Sequence, residues 1–320
     1  MAAGVQREYW VAAPILSDLS VHSPERLRAV AAELNARPRK TLAASHPHKP
    51  CSAYCWTPNH PSLRRPPEFA IGLWERSAAE GGRLLHYVRV MVLSLALLPS
   101  PLLGPSVWQP VAQVLADRGW HTVTCAACAP LHTGQDVLDA FLAALPMDRE
   151  LVLVPHSNAG AYVPALTTQR RVVAAVFVDA VLPPGCGRVP LAPPAFLDLL
   201  REKADGSGLL PVWTSWWEEA EVAGLFPDAG TRARLEREQQ RLPLSYFEGS
   251  LPVPEGWDDR PGAYLAFGDT YGNERDEAER RRWPVSTLPA EHLHLLNDPD
   301  QVATELVDLM RQLGISASTG

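Results

Sequence analysis

The residues best suited to covalent chemistry lie in the segment Leu151-Val-Leu-Val-Pro-His-Ser-Asn-Ala-Gly-Ala161. A continuous apolar run, of the kind buried on both faces of a sheet, ends in a serine among small residues. If a strand passes into a helix there, Ser157 sits on a strained turn with its hydroxyl exposed. The next backbone N–H, that of Asn158, then points at a developing oxyanion. Strand and helix approach closely at such a turn, and Ala159 and Gly160 are small enough to allow it. The pattern departs from G-x-S-x-G, because Pro155 takes the first glycine position and Ala159 the last. A structural turn with a capping serine is the bland reading of the same residues.

A serine needs a base, and the base needs an acid to orient it. Asp269 follows the apolar run Tyr264–Phe267, and His292 follows Val285–Leu288 after a short loop. The chain order is Ser, Asp, His. Both candidates stand at carboxyl ends of strands, the edge where open parallel sheets place their sites. Asp179, at the end of Phe177-Val-Asp, is an alternative acid, and Glu274 a third. His294 is an alternative base. His156 reads as a packed neighbour of the turn.

The elements that must hold these residues alternate along the chain. Val90–Leu98, Trp120–Cys125, Leu151–Val154, Val172–Val178, Tyr264–Phe267 and Val285–Leu288 read as strands. Helical spacing runs through 110–118, 137–145, 159–168, 273–282 and 299–313, with Gly119 a stop signal after the first. Such alternation predicts an α/β domain with a mostly parallel sheet flanked by helices. Residues 185–250 interrupt it with helical segments 194–202, 212–225 and 229–241. Trp213, Trp216 and Trp217 fall in that block. Their spacing puts them on one helix face, which means either packing or the lining of an apolar substrate pocket.

Residues 91–320 resemble the α/β-hydrolase superfamily, in its small cofactor-free esterase and hydroxynitrile-lyase-like branch. The resemblance rests on Pro155–Gly160 as a nucleophile elbow, on Ala180–Pro184, on Gly268-Asp-Thr-Tyr271 and on the terminal Ala290-Glu-His292-Leu-His-Leu-Leu-Asn-Asp-Pro299. It rests too on Leu97-Leu-Pro-Ser-Pro-Leu-Leu-Gly-Pro-Ser-Val-Trp108, which matches the oxyanion loop. It implies an eight-stranded sheet and a helical cap at about 185–250. Pro99-Ser100 stands where His-Gly is usual. Pro101, at the position that normally donates to the oxyanion, has no N–H, so Leu102 is the candidate second donor beside Asn158.

Composition bounds the rest. The chain has 320 residues, 46% hydrophobic, with a net charge of −7, which argues against a nucleic-acid partner. Residues 1–90 carry +5 and residues 91–320 carry −12. The stretch His46–Pro67 holds six prolines in 22 residues. Residues 1–88 are therefore expected to form a Pro-rich, disordered extension, ahead of a domain over 89–320. His46, His48, Cys51, Cys55 and His60 have irregular spacing for zinc, and Cys125-Ala-Ala-Cys128 lacks the context of a redox motif, so no metal is expected. Without a Gly-rich phosphate loop no nucleotide cofactor is implied. The longest apolar run, Val90–Leu98, spans about 14 Å as a helix against roughly 30 Å of hydrocarbon, so no membrane span is expected. Five cysteines and no leader pattern suggest a cytoplasmic protein.

The expected function is hydrolysis of an ester-like bond in a small, apolar or aromatic substrate, through an acyl-enzyme on Ser157 with His292 and Asp269. The alternatives are a lyase or other non-hydrolytic enzyme on the same scaffold, and a non-catalytic binder of small ligands.

Overall fold

A computed structural model describes residues 75–80, 83–88, 93–126 and 130–317. The Cys/His cluster of residues 46–60 and Cys128 lie outside them. Within the stretch expected to be a disordered extension, β1 (Glu75–Glu80) and β2 (Arg83–Val88) pair as an antiparallel hairpin.

The elements that follow are β3 (Leu93–Leu98), α1 (Gln109–Asp117), β4 (Thr122–Thr124), α2 (Gly134–Ala144), β5 (Glu150–Ser157), α3 (Val163–Thr167) and β6 (Val172–Ala180). An insertion comes next: β7 (Gly187–Pro190), α4 (Pro194–Lys203), α5 (Glu219–Ala223), α6 (Ala229–Glu238), α7 (Leu244–Phe247) and β8 (Ser250–Val253). The chain closes with β9 (Gly262–Phe267), α8 (Gly272–Arg280), β10 (Val285–Leu288), α9 (His294–Asn297) and α10 (Pro299–Gln312).

Six of these strands form one sheet in the order β10-β9-β6-β5-β3-β4, all parallel. The chain's own apolar runs predict six strands, and those six make up this sheet. The figure of eight, implied by the resemblance, is not met there.

Strand alternation divides the core in two. Ala96, Leu98, Leu151, Leu153, Phe177 and Tyr264 face α2, α3 and much of the insertion. Leu95, Leu97, Val152, Val154, Val176, Val178 and Phe267 face α1 and α10. On that side α10 contributes Val302, Leu306, Leu309 and Met310 from one stripe at helical spacing. Both faces of the sheet are therefore covered, and only its carboxyl edge is left to hold a site.

The insertion is not the run of long helices that its sequence suggests. The expected helix 212–225 is a 3-10 turn at Trp213–Trp216, an extended Trp217, and the short α5. Glu218 and Glu221 form a capping box that starts a new helix and so ends the old one. The insertion leaves and re-enters through β7 and β8, an antiparallel ribbon in which Pro190 faces Ser250. No strand signal marks these segments, because both are four residues long and each carries a proline.

Candidate active site

β5 lies between β3 and β6, buried almost throughout, and ends on Ser157. Ser157 has φ 58° and ψ −131°. A non-glycine residue there stores strain of about 1–3 kcal/mol, and it turns the chain sharply into a 3-10 turn over Asn158–Tyr162. The Val181 N–H donates to the Ser157 carbonyl at 3.0 Å, so the exit of β6 braces the turn. That contact explains Gly160. A Cβ at this position would lie 1.9 Å from the Val181 carbonyl oxygen, which is backbone and cannot retreat.

Asp179 ends the neighbouring strand, again at positive φ, 41°. Its carboxylate is fully buried, and Oδ2 lies 2.5 Å from His292 Nδ1. Its other oxygen accepts the Phe267 N–H at 3.1 Å. A carboxylate only accepts, so Nδ1 of His292 carries the proton and Nε2 is left with the lone pair. His292 sits between β10 and α9 with 15% of its side chain exposed.

His156, one residue before the serine, stacks on His292 with ring centroids 4.5 Å apart. Its Nε2–H donates to the His292 carbonyl at 3.1 Å. Burial holds its pKa well below the usual histidine value, and repulsion from a second positive charge on the stacked His292 ring would add to the effect, so His156 stays neutral. The edge of Trp108 meets it from the other side.

The structure brings Asp179, and not Asp269, to His292. The Asp269 side chain is 89% exposed and pairs with Arg275 at 3.0 Å. The cause is local. Gly268 takes φ 58°, and the chain turns outward before Asp269. His294 is also drawn away from the site. Its Nε2 meets Gln301 Oε1 at 2.9 Å, and its ring lies edge-on to Phe267.

Asn158 is buried, and its side chain serves the fold. Nδ2 donates to the Leu191 carbonyl at 2.8 Å, and Oδ1 accepts from the Tyr246 hydroxyl at 2.6 Å. Tyr162 in turn reaches Tyr246 at 2.7 Å. These bonds tie the turn after Ser157 to the insertion. The Asn158 N–H opens the 3-10 turn and lies outside its internal bonding. On the other side of β5, the loop after β3 curls on Ser100, whose carbonyl accepts from Leu103 and Gly104. The Leu102 N–H makes a long contact, 3.4 Å, with Ser100 Oγ.

The three tryptophans separate. Trp216 is buried in the insertion's own packing between Phe196 and Phe247, with its Nε1–H on the Pro211 carbonyl. Trp213 and Trp217 are half-buried and pack against both halves of the core. The buried Trp217 Nε1–H has no hydrogen-bond partner.

One side chain at the site escaped the sequence reading. Tyr271 follows β9, and its hydroxyl lies 3.2 Å from Ser157 Oγ. Its ring tilts against His292 at 5.7 Å. The signal available was an aromatic hydroxyl four residues past the end of a parallel strand. Nearby Glu274, in the first turn of α8, is pushed up to about 7 by burial, with the charge of Asp179 adding to the rise.

The fold that holds these residues has counterparts among solved structures. An extracellular α/β-hydrolase from a Paenibacillus species, described as homologous to tobacco salicylic acid binding protein 2, aligns with a TM-score of 0.53. The alignment covers 68% of this chain and 98% of that one, at 14% identity. The chain has an α/β-hydrolase fold. Tomato methylketone synthase I complexed with 2-tridecanone aligns at 0.54, covering 70% of this α/β-hydrolase-fold chain and 99% of its own, at 14% identity. The pyrethroid hydrolase PytH aligns at 0.52, covering 71% and 100%, at 16% identity. No sequence-family profile matches the chain, and no curated protein sequence does. Among the described residues no helix is long and apolar enough to cross a membrane, and no cluster of three or more His, Cys, Asp or Glu could hold a metal.

Proposed function

We propose that the protein is a serine hydrolase acting on an ester-like bond of a small, apolar or aromatic molecule. Ser157 is the nucleophile, His292 the base and Asp179 the acid that orients it. Asp179 thus takes the role that chain order assigns to Asp269. The observation that carries the reading is the 2.5 Å contact between His292 Nδ1 and the buried Asp179 carboxylate, beside a serine held at positive φ. Ser157 Oγ adds to the carbonyl carbon and its proton passes to His292 Nε2. Collapse of the intermediate breaks the bond to the leaving oxygen, which takes that proton. Water then repeats the sequence on the acyl-serine. The Asn158 N–H, with that of Leu102, receives the oxyanion. Trp213 and Trp217 are the candidate apolar lining, and Trp216 supports them from behind. The solved structures of like fold include enzymes named as hydrolases, which agrees with hydrolase-type chemistry.

One feature favours a second reading. Pro101 offers no N–H, and the Leu102 N–H is turned towards Ser100. A short oxyanion hole suits a proton-transferring lyase, or a binder without turnover, better than an acyl transferase. Labelling with a fluorophosphonate decides between them. The hydrolase reading expects wild type to be labelled at Ser157, and the label to be lost in Ser157→Ala and His292→Ala. Folded wild type that takes no label would overturn it.

A further inference from the structure

The hydroxyl of Tyr271 lies at the one serine on which the proposed reaction depends, and the sheet order fixes the side from which it comes. Across the order β10-β9-β6-β5-β3-β4, Ser157 ends β5. The loop that receives the oxyanion follows β3, on one side. Asp179 ends β6, Tyr271 follows β9 and His292 follows β10, all on the other. His292 must return its proton to the leaving oxygen, so that oxygen faces the side of β6, β9 and β10. The oxyanion faces the side of β3.

Tyr271 therefore stands where the leaving group departs. Its hydroxyl is 3.2 Å from Ser157 Oγ and its ring lies against His292. Burial holds its phenol well above the usual tyrosine value, so it keeps its proton and is able to donate. Asp269, which would crowd this loop if it served as the acid, is turned to solvent and paired with Arg275. The loop after β9 is thus free to bring a different group to the serine.

We propose that Tyr271 is a catalytic residue for the leaving group: its hydroxyl holds Ser157 in the free enzyme and, once an ester is bound, donates a hydrogen bond to the leaving oxygen. The inference rests on the hydrolase reading above. As the tetrahedral intermediate collapses, the carbon–oxygen bond breaks and the electron pair goes to the leaving oxygen. The proton that oxygen acquires comes from His292 Nε2. Tyr271 keeps its own proton and spreads the charge that develops before the transfer is complete. The substrate class follows: esters of poorly acidic alcohols, whose departing oxygen carries the most charge, gain most from the contact.

The test is Tyr271→Phe, which removes one oxygen and leaves the ring on His292. Two esters with the same acyl group are compared, one of p-nitrophenol and one of a simple alcohol such as ethanol. Because kcat/KM reports steps up to acylation, the shared acyl group cancels. A hydrogen bond to a charged oxygen predicts a loss of about 10- to 100-fold on the ethyl ester. On the nitrophenyl ester, whose leaving group needs little help, the expected loss is under about threefold. Equal losses on both esters would reduce Tyr271 to a residue that positions the serine, and would overturn the inference, as would no loss on either. The labelling rate separates the two levels. Labelled wild type with esters that respond equally refutes the role of Tyr271 alone. Unlabelled wild type refutes the hydrolase reading, and the role of Tyr271 with it.

Discussion

Consider Asp179→Asn, the isosteric change that removes one charge and exchanges an acceptor for a donor. Asparagine tolerates the positive φ of this position as well as aspartate does, so the backbone has no reason to move. Two acceptor contacts exist, one from the Phe267 N–H and one from His292 Nδ1–H. The amide can accept only one of them. If its oxygen keeps the Phe267 N–H, its NH2 faces His292 Nδ1 and forces the imidazole proton onto Nε2. The base then has no lone pair to offer Ser157. If the amide flips, its NH2 opposes a buried backbone N–H, which costs about 1–3 kcal/mol. The inactive tautomer is thus the favoured one by roughly ten- to a hundredfold in population, at 1.4 kcal/mol per decade. The carboxylate that stabilised the imidazolium is lost as well, and together the two effects approach the 10⁴-fold fall seen when a serine-hydrolase acid becomes an amide. The assay is kcat/KM on a p-nitrophenyl ester from pH 5 to 9, with thermal melting to establish folding. Asp269→Asn is run alongside, and should stay within about twofold because its carboxylate is exposed and meets a half-buried arginine away from His292. A folded Asp179→Asn enzyme within tenfold of wild type would refute the assignment, and so would an Asp269→Asn enzyme that fell as far.

Gly160→Ala places a methyl 1.9 Å from a backbone oxygen and should destabilise the protein by about 3 kcal/mol or more in urea, whereas Gly206→Ala, with open space around it, should change stability by under about 0.5 kcal/mol. Equal midpoints for the two would show that the close approach of β5 and β6 is not rigid. Glu274 has a folded-state pKa raised to about 7 from 4.5, so its stabilising contribution is full below about pH 4.5 and is lost as pH rises through 7. Glu274→Gln should therefore gain on wild type between pH 5 and pH 8, by on the order of 2 kcal/mol in unfolding free energy; a pH-independent difference would mean that the carboxyl is not desolvated. Glu238, the last residue of α6, accepts from both the N–H (2.9 Å) and the hydroxyl of Ser106, just past the β3 loop. Glu238→Ala should lower Tm by about 3–6 °C for roughly 1–2 kcal/mol of charge-assisted bonding, read by calorimetry; a shift under about 1 °C would show that the contact carries no load.

The four central strands, β3, β5, β6 and β9, were legible because they are buried on both faces and therefore read as apolar runs. The serine was legible because the residues after it are small, and Gly160 now has a distance to explain it. For the acid, the sequence points to Asp269, whereas Asp179 is the carboxylate that meets His292. Asp179 and Asp269 both end parallel strands, and chain order favours the later one. What separates them is the direction of each loop, which depends on Gly268 turning outward at φ 58° and on the Phe267 N–H reaching back to Asp179. Neither effect leaves a trace in spacing. Tyr271 stands in the segment Gly268-Asp-Thr-Tyr271, and nothing local there reveals that its hydroxyl crosses β6 to reach β5. In the insertion, helical periodicity over 212–225 was outweighed by a capping box at Glu218 that starts a fresh helix.

The ribbon of β7 and β8 has a consequence for how such a protein can diversify. Pro190 and Ser250 are register partners, so residues 191–249 depart and return about 5 Å apart. Ring closure is settled by the ribbon before the insertion adopts any structure, and the entropy of a longer or shorter loop changes only with the logarithm of its length. The insertion is in that sense a cassette, spliced at a fixed joint. A replacement has to reproduce the polar attachments to the body, among them the Leu191 carbonyl and the Tyr246 hydroxyl on Asn158, the Glu238 carboxylate on Ser106, the Gln240 side-chain oxygen on the Leu131 N–H and the Leu225 carbonyl on Asn297. It must also cover the apolar surface that Val222, Leu225, Phe226 and Leu235 now cover, and its exposed residues can then vary while Ser157, Asp179 and His292 stay where the parallel strands put them.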